Sequence, residues 1–107
     1  MPAHYELKSA KDGSVFFNLR ATNGEVVLTS QMYASRAGAL KGIAAVQRHS
    51  RQAANFECRV GKAGKSHFVL KAANHRVIGT SETYNSQAAL ENGISSVQKN
   101  GPQAKIG

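Results

Sequence analysis

Residues 3–50 align with residues 54–101 at a constant offset of 51, without a gap, and 18 of the 48 paired positions are identical. The retained pairs include Phe17/Phe68, Leu19/Leu70, Ala21/Ala72, Asn23/Asn74, Ser30/Ser81, Tyr33/Tyr84, Ser35/Ser86, Gly42/Gly93, Ile43/Ile94, Val46/Val97 and Gln47/Gln98. A fixed internal period means one supersecondary unit used twice. A unit of about 50 residues sits where a single hydrophobic core becomes marginal. The two units are therefore expected to share a core. No Pro-, Gly- or Ser-rich linker separates them, since the joint reads Arg51-Gln52-Ala53-Ala54. The expectation is one domain over residues 1–107, with repeat 1 at about 3–51 and repeat 2 at about 54–106.

Each unit opens on an alternating run, Tyr5-Glu6-Leu7-Lys8 and Phe56-Glu57-Cys58-Arg59, the signature of a half-buried strand. Lys11-Asp12-Gly13 and Lys62-Ala63-Gly64 break it as turns. A second strand follows with Phe17, Leu19 and Ala21, or Phe68, Leu70 and Ala72, on its inner face. Asn23-Gly24 predicts a type I′ hairpin turn, and its counterpart Asn74-His75 requires His75 to take a left-handed backbone. Third strands run over 25–30 and 76–81. Ser35 and Ser86 are expected helix N-caps. The stripes Ala39, Gly42, Ile43, Val46 and Leu90, Gly93, Ile94, Val97 repeat at i, i+3, i+4, i+7, one face of a helix. Glycine inside a helix costs about 1 kcal/mol relative to alanine. Its retention at 42 and 93 implies close approach of another backbone. Asn100-Gly101-Pro102 stops the second helix, and a short last strand is expected within 103–106.

The net charge is +8 and divides evenly, +4 in residues 1–51 and +4 in residues 52–107. Cations persist at Lys8/Arg59, Lys11/Lys62, Arg20/Lys71 and Arg48/Lys99. Such a surplus favours solubility and attracts polyanions without identifying one. Cys58 is the sole cysteine, so no internal disulfide or multi-cysteine metal site can form. It pairs with Leu7 across the repeat, which predicts a buried apolar role. No apolar run reaches the length of a signal segment or membrane span, and a cytoplasmic setting is expected.

Catalytic constellations are missing from the pattern. His4, His49, His67 and His75 fall on different elements with no metal-ligand spacing. Glu6 and Glu57, the carboxylates kept in both units, lie on outward faces beside Lys or Arg, as surface ion pairs do. Ser30/Ser81 and Ser35/Ser86 have no retained histidine partner. Gly61-Lys62-Ala63-Gly64-Lys65-Ser66 resembles the end of a phosphate loop but leads into a strand. Tyr33 and Tyr84 are accounted for by ring packing over the helix start, with stacking on a ligand or base as the alternative. The reading is of a non-enzymatic chain without catalytic, cofactor-binding or metal residues.

Two surfaces remain as candidates. Arg20, Lys71, Lys8 and Arg59 are outward cations suited to a polyanion such as RNA. Counting alternation, Phe16, Val27, Val69 and Ile78 also point away from the helices, and an apolar patch there would suit a protein partner.

The motifs Phe17-x-Leu19-x-Ala21-x-Asn23-Gly24-Glu25, Ser30-x-x-Tyr33-x-Ser35 and Gly42-Ile43-x-x-Val46 recur nearly whole in the second unit. This pattern resembles the YegP-like family of small bacterial proteins. His75 replaces the turn glycine, and Leu28 and Gly79 differ between the units. The resemblance implies an α+β fold of two tandem β3-α-β units in one shared, mostly antiparallel sheet. Two helices would lie on one face about a pseudo-twofold axis, with the last strand of each unit exchanged to the other. The family has no assigned function, so no site residue carries over. The expected state is a monomer or weak dimer, with nucleic acid or protein as candidate partners and no membrane.

Overall fold

Alternation and turn chemistry produce the expected β-β-β-α order in each unit. A computed structural model describes residues 2–107, with the side chain of Lys62 outside the described set. Repeat 1 forms β1 (His4–Ser9), β2 (Val15–Arg20), β3 (Val26–Ser30) and α1 (Arg36–His49). Repeat 2 forms β4 (Phe56–Val60), β5 (Ser66–Lys71), β6 (Val77–Thr80), α2 (Gln87–Asn100) and β7 (Lys105–Ile106). One seven-stranded sheet runs β4-β5-β6-β3-β2-β1-β7. Every pairing is antiparallel except that of β7 with β1. The fold is α+β. A single core cluster takes Phe17, Leu19 and Leu28 from one repeat and Phe68, Leu70 and Leu90 from the other. Helix α1 packs on β2, β5 and β6, and α2 on β3 and β5, so each helix reaches strands of both repeats.

Both caps form as read. Ser35 Oγ accepts from Gly38 N, and Ser86 Oγ from Ala89 N, each at 3.1 Å. The retained Ser30 and Ser81 have a local duty too. Their hydroxyls accept from Phe17 N and Phe68 N at 2.9 Å, where the ladder would otherwise leave those donors unpaired. Gln47 and Gln98 reach across the repeats, to Ala104 O at 3.0 Å and Arg51 O at 3.5 Å.

The hairpin turns differ from the expected type I′. Gly24 N donates to Ala21 O and Ala21 N to Glu25 O, both at 2.9 Å, which closes a three-residue loop. Positive φ occurs at Gly24 (84°) and His75 (66°) but not at Asn23 or Asn74. This is a type I turn followed by a left-handed bulge residue. The asparagine side chains select it, Asn23 Oδ1 accepting from Glu25 N at 3.0 Å and Asn74 Oδ1 from Arg76 N at 3.1 Å.

Bulges follow directly and correct the face assignment. Leu19 pairs with Leu28 while Arg20 pairs with Val26, leaving Val27 as the extra residue. Leu70 pairs with Gly79 and Lys71 with Val77, leaving Ile78. A bulge disrupts the period-2 count. Val27 (7% exposed) and Ile78 (5%) therefore join the core rather than the outer face.

Strand exchange is realised once. β7 crosses to β1, with Gly107 N donating to Tyr5 O at 3.0 Å. The matching residues of repeat 1 form a 3₁₀ turn, Ala53–Asn55, leading straight into β4. A segment continuous with β4 cannot also lie beside it. β4 is left as a free edge, and Cys58 is consequently exposed rather than buried.

The pseudo-twofold axis is marked by repeat partners that touch each other. Thr29 pairs with Thr80 between β3 and β6. A side chain on Gly79 would meet Leu28 Cγ at 2.8 Å. One on Gly101 would meet Ser50 Oγ at 2.5 Å. At both buried contacts the two copies have diverged to a larger residue against glycine.

Candidate functional site

Strand register assembles the outer face. Glu57, Val69, Thr80, Thr29, Asn18 and Glu6 form one row across six strands. Thr29 Oγ1 donates to Asn18 Oδ1 at 2.8 Å, and Asn18 Nδ2 to Glu6 Oε1 at 3.5 Å. The two glutamates then gather all four candidate cations. Glu6 Oε1 lies 3.1 Å from Arg20 Nε and 3.8 Å from Lys8 Nζ. Glu57 lies 2.5 Å from Arg59 Nε and 2.6 Å from Lys71 Nζ. Arg20 Nη1 also donates to Gly24 O at 2.8 Å. Each triplet carries a residual charge of only +1, so the outer face is a paired polar surface with little free positive potential.

Glu57 is held at about 2 by hydrogen bonds from Lys71 and Arg59, against an ordinary 4.5. At Glu6 burial pushes upward, but hydrogen bonds from Arg20 and Asn18 and the charges of Arg20 and Lys8 outweigh it and the pKa falls. A carboxyl depressed by folding stabilises the native state fully above its unfolded value. That contribution drains away as pH drops from about 4.5 toward 2. A carboxyl-carbon NMR titration should place Glu57 near 2, and Lys71→Met should return it toward the ordinary range. A Glu57 midpoint unmoved by that substitution would show that the contact does not set it.

Of the four apolar candidates, Val27 and Ile78 point inward. Val69 does lie on the outer face, flanked in register by Glu57 and Thr80, but is 1% exposed. Phe16, half-buried opposite Lys8, is what remains. These residues do not assemble an exposed apolar patch.

Tyr33 and Tyr84 stack on Phe17 and Phe68, with ring centroids 6.3 and 6.1 Å apart and planes within 12° and 10°. Each hydroxyl carbon lies where a side chain on Gly42 or Gly93 would begin, at 2.6 and 2.7 Å. The close approach that requires these glycines is thus the unit's own tyrosine ring, not a backbone. Burial raises both hydroxyls above their ordinary pKa, with Glu82 and Glu25 adding to the effect at Tyr84. Both stay protonated near neutrality. Tyr84, Glu25 and Asn92 border a cleft of about 300 Å³ between the first hairpin and α2. Its counterpart of about 330 Å³, between the second hairpin and α1, is bordered by Tyr33, Asn74 and Arg76. Glu25 and Arg76 are repeat partners, so the equivalent clefts carry opposite charges.

The helices have diverged in the same sense. α1 contains Arg36, Lys41 and Arg48 and no acidic residue, with Arg51 just beyond its end. α2 contains Glu91 and Lys99. Lys41 and Arg48 lie seven residues apart on one exposed side, with the small Ala44 between them. None of the four basic residues at α1 forms an ion pair among the described residues. The absence of Asp and Glu from 36–49 is the sequence signal of this side, and it does not show among the cations common to both copies.

Among the described residues no group of three or more His, Cys, Asp or Glu is placed to hold a metal. Nor, among the described residues, is any helix long and apolar enough to cross a membrane. The family described as "Domain of unknown function (DUF1508)" matches residues 10–57 and 62–107, one match per repeat. The UPF0339 protein YegP of Yersinia pestis is 54% identical over 98 residues, 92% of this chain and 88% of that protein. A UPF0339 protein of Photorhabdus laumondii is 50% identical over 103 residues, 96% and 90% of the two chains. The solution NMR structure of a UPF0339 protein from Shewanella oneidensis superposes with a TM-score of 0.90 at 45% identity, covering 99% of this chain and 91% of that one. That of the Escherichia coli protein of unknown function yegP gives 0.92 at 42%, with the same coverage.

Proposed function

Because the chain belongs to the DUF1508 family of UPF0339 (YegP) proteins, which has no established activity, we propose a function from its own charge geometry. It is a small non-enzymatic module that binds a polyanion such as RNA, and the exposed side of α1, not the outer sheet face, meets the ligand. One observation carries this reading: each sheet cation is held in an ion pair with Glu6 or Glu57, whereas Lys41, Arg48 and Arg51 form none among the described residues and stand beside an acid-free helix. Unpaired cations displace the counterions condensed on nucleic-acid phosphates, and that release drives non-specific binding. Alanine at 44 lets a phosphate backbone come close between the two charges. The non-enzymatic part rests on His4, His49, His67 and His75 standing on β1, α1, β5 and the second hairpin loop. A cytoplasmic, reducing setting suits a chain whose one cysteine is an exposed thiol.

Binding of single-stranded RNA, followed by fluorescence anisotropy across a salt series, tests the reading. Three contacts predict a slope of log K on log salt of about −2, at about 0.7 per phosphate. Lys41→Glu with Arg48→Glu should flatten it by about 1.4. Lys8→Ala with Arg59→Ala, which removes cations already held against Glu6 and Glu57, should flatten it much less than the α1 pair does. No binding at low salt would overturn the polyanion reading, and loss of slope from the sheet pair alone would overturn its placement on α1.

A further inference from the structure

The free edge of the sheet is complementary to itself. Gly61 N donates to Lys65 O at 2.8 Å. Backbone groups alternate direction along a strand, so Glu57 and Arg59 bond toward β5 while Phe56, Cys58 and Val60 turn their N–H and C=O groups to the open side. The same alternation holds on β1, where Tyr5 O is the group that receives β7. Set antiparallel to a second copy and centred on Cys58, β4 brings Phe56 opposite Val60 of the second copy and Val60 opposite its Phe56. Glu57 then faces Arg59 of the second copy, and Arg59 its Glu57. Every apolar side chain meets an apolar one and every charge its opposite, on the correct face of the sheet.

Val60 is 75% exposed and Phe56 half-buried, so the pairing covers apolar surface that the monomer leaves in water. The Glu57 and Arg59 side chains are 42% and 44% exposed and accessible to a partner. They would occupy the non-hydrogen-bonded positions, where side chains approach most closely. The equivalent edge at β1 does not offer this surface: β7 covers its start and Ser9 stands where β4 has Val60. Natural sheets commonly blunt a free edge with charge of one sign, a proline or a bulge. β4 carries one charge of each sign and an exposed valine.

We infer that β4 is a homodimer interface, joining two copies edge to edge through Phe56–Val60 into one continuous sheet with all four helices on the same face. The interface is isologous, as twofold symmetry requires. With about six backbone hydrogen bonds and little buried area it is weak and concentration-dependent. It does not depend on the polyanion reading.

Sedimentation velocity of the reduced protein over a wide concentration range should show a monomer–dimer equilibrium. Val60→Lys, at a position the monomer leaves in water, should weaken it at least tenfold with the thermal midpoint of dilute protein unchanged. Arg59→Glu and Glu57→Lys should each abolish self-association, and mixing the two should restore a dimer, because their charges then complement one another. Register is read at Cys58: its two copies would lie about 5.5 Å apart at Cα, within disulfide reach. Diamide, a two-electron thiol oxidant, should cross-link wild type much faster than Val60→Lys. A monodisperse monomer at the highest concentrations, equal cross-linking rates in the two proteins, or no rescue on mixing two folded charge variants would each overturn the proposal.

Discussion

Gly93→Ala should lower the stability of the protein by about 2–3 kcal/mol, although alanine is the better helix former. The added methyl would start 2.7 Å from Tyr84 Cζ and 3.1 Å from Phe68 Cε2. Tyr84 must then swing away, breaking its stack on Phe68. Gly42→Ala meets the same obstacle, with Tyr33 Cζ at 2.6 Å and Phe17 Cε2 at 3.0 Å. At roughly 4–8 °C per kcal/mol for a domain near this size, each variant should melt about 10 °C or more below wild type. Gly93→Leu should be worse still. The decisive measurement is a double-mutant cycle. In a Tyr84→Leu background the cost of Gly93→Ala should largely disappear, giving a coupling above about 1 kcal/mol. Additive effects would mean that the tyrosine is not the obstacle.

The second large effect lies on the pseudo-twofold axis. Gly79→Leu would make the two repeats identical there, yet the added side chain would start 2.8 Å from Leu28 Cγ and 3.1 Å from Thr29 O. Overpacking by several methylenes should cost at least about 3 kcal/mol. Leu28→Gly removes a fully buried side chain and should cost about 2–5 kcal/mol through the cavity it leaves. The exchange, Leu28→Gly with Gly79→Leu, should recover most of either loss, because one leucine again fills one space. Chemical denaturation of the three variants checks this. A double variant as unstable as the sum of the singles would show that the site cares which strand supplies the leucine.

Much of the architecture was legible because it is written in local chemistry. Ser35 and Ser86 cap as read, the second strands bury Phe17, Leu19, Phe68 and Leu70, and His75 takes its left-handed backbone. What escaped were consequences of pairing, which no single strand records. Val27 and Ile78 turn inward only because a bulge sits opposite Leu19–Arg20 and Leu70–Lys71. Cys58 reads as a core residue from its match to Leu7 in the other repeat, until the topology leaves β4 uncovered. Alternation places the four cations outward and close to Glu6 and Glu57, where the structure has them. Their capture by those two carboxylates depends on cross-strand neighbours, Glu6 opposite Asn18 with Arg20 on the diagonal. The tyrosine and the glycine kept in both copies read as independent features of the sequence, but they form one contact.

The meetings of Leu28 with Gly79 and of Ser50 with Gly101 also bear on what joining two units achieves. A symmetric pair of separate single-repeat chains must set each axial residue against its own twin. Leucine would confront leucine and clash, or glycine would confront glycine and leave a hole. Once both copies belong to one polypeptide, the two sides of the axis can mutate independently. This chain has used that freedom to build a knob on one side and a socket on the other. The covalent joint thus does more than hold the halves at high effective concentration: it opens packing solutions that no homodimer of one unit can reach.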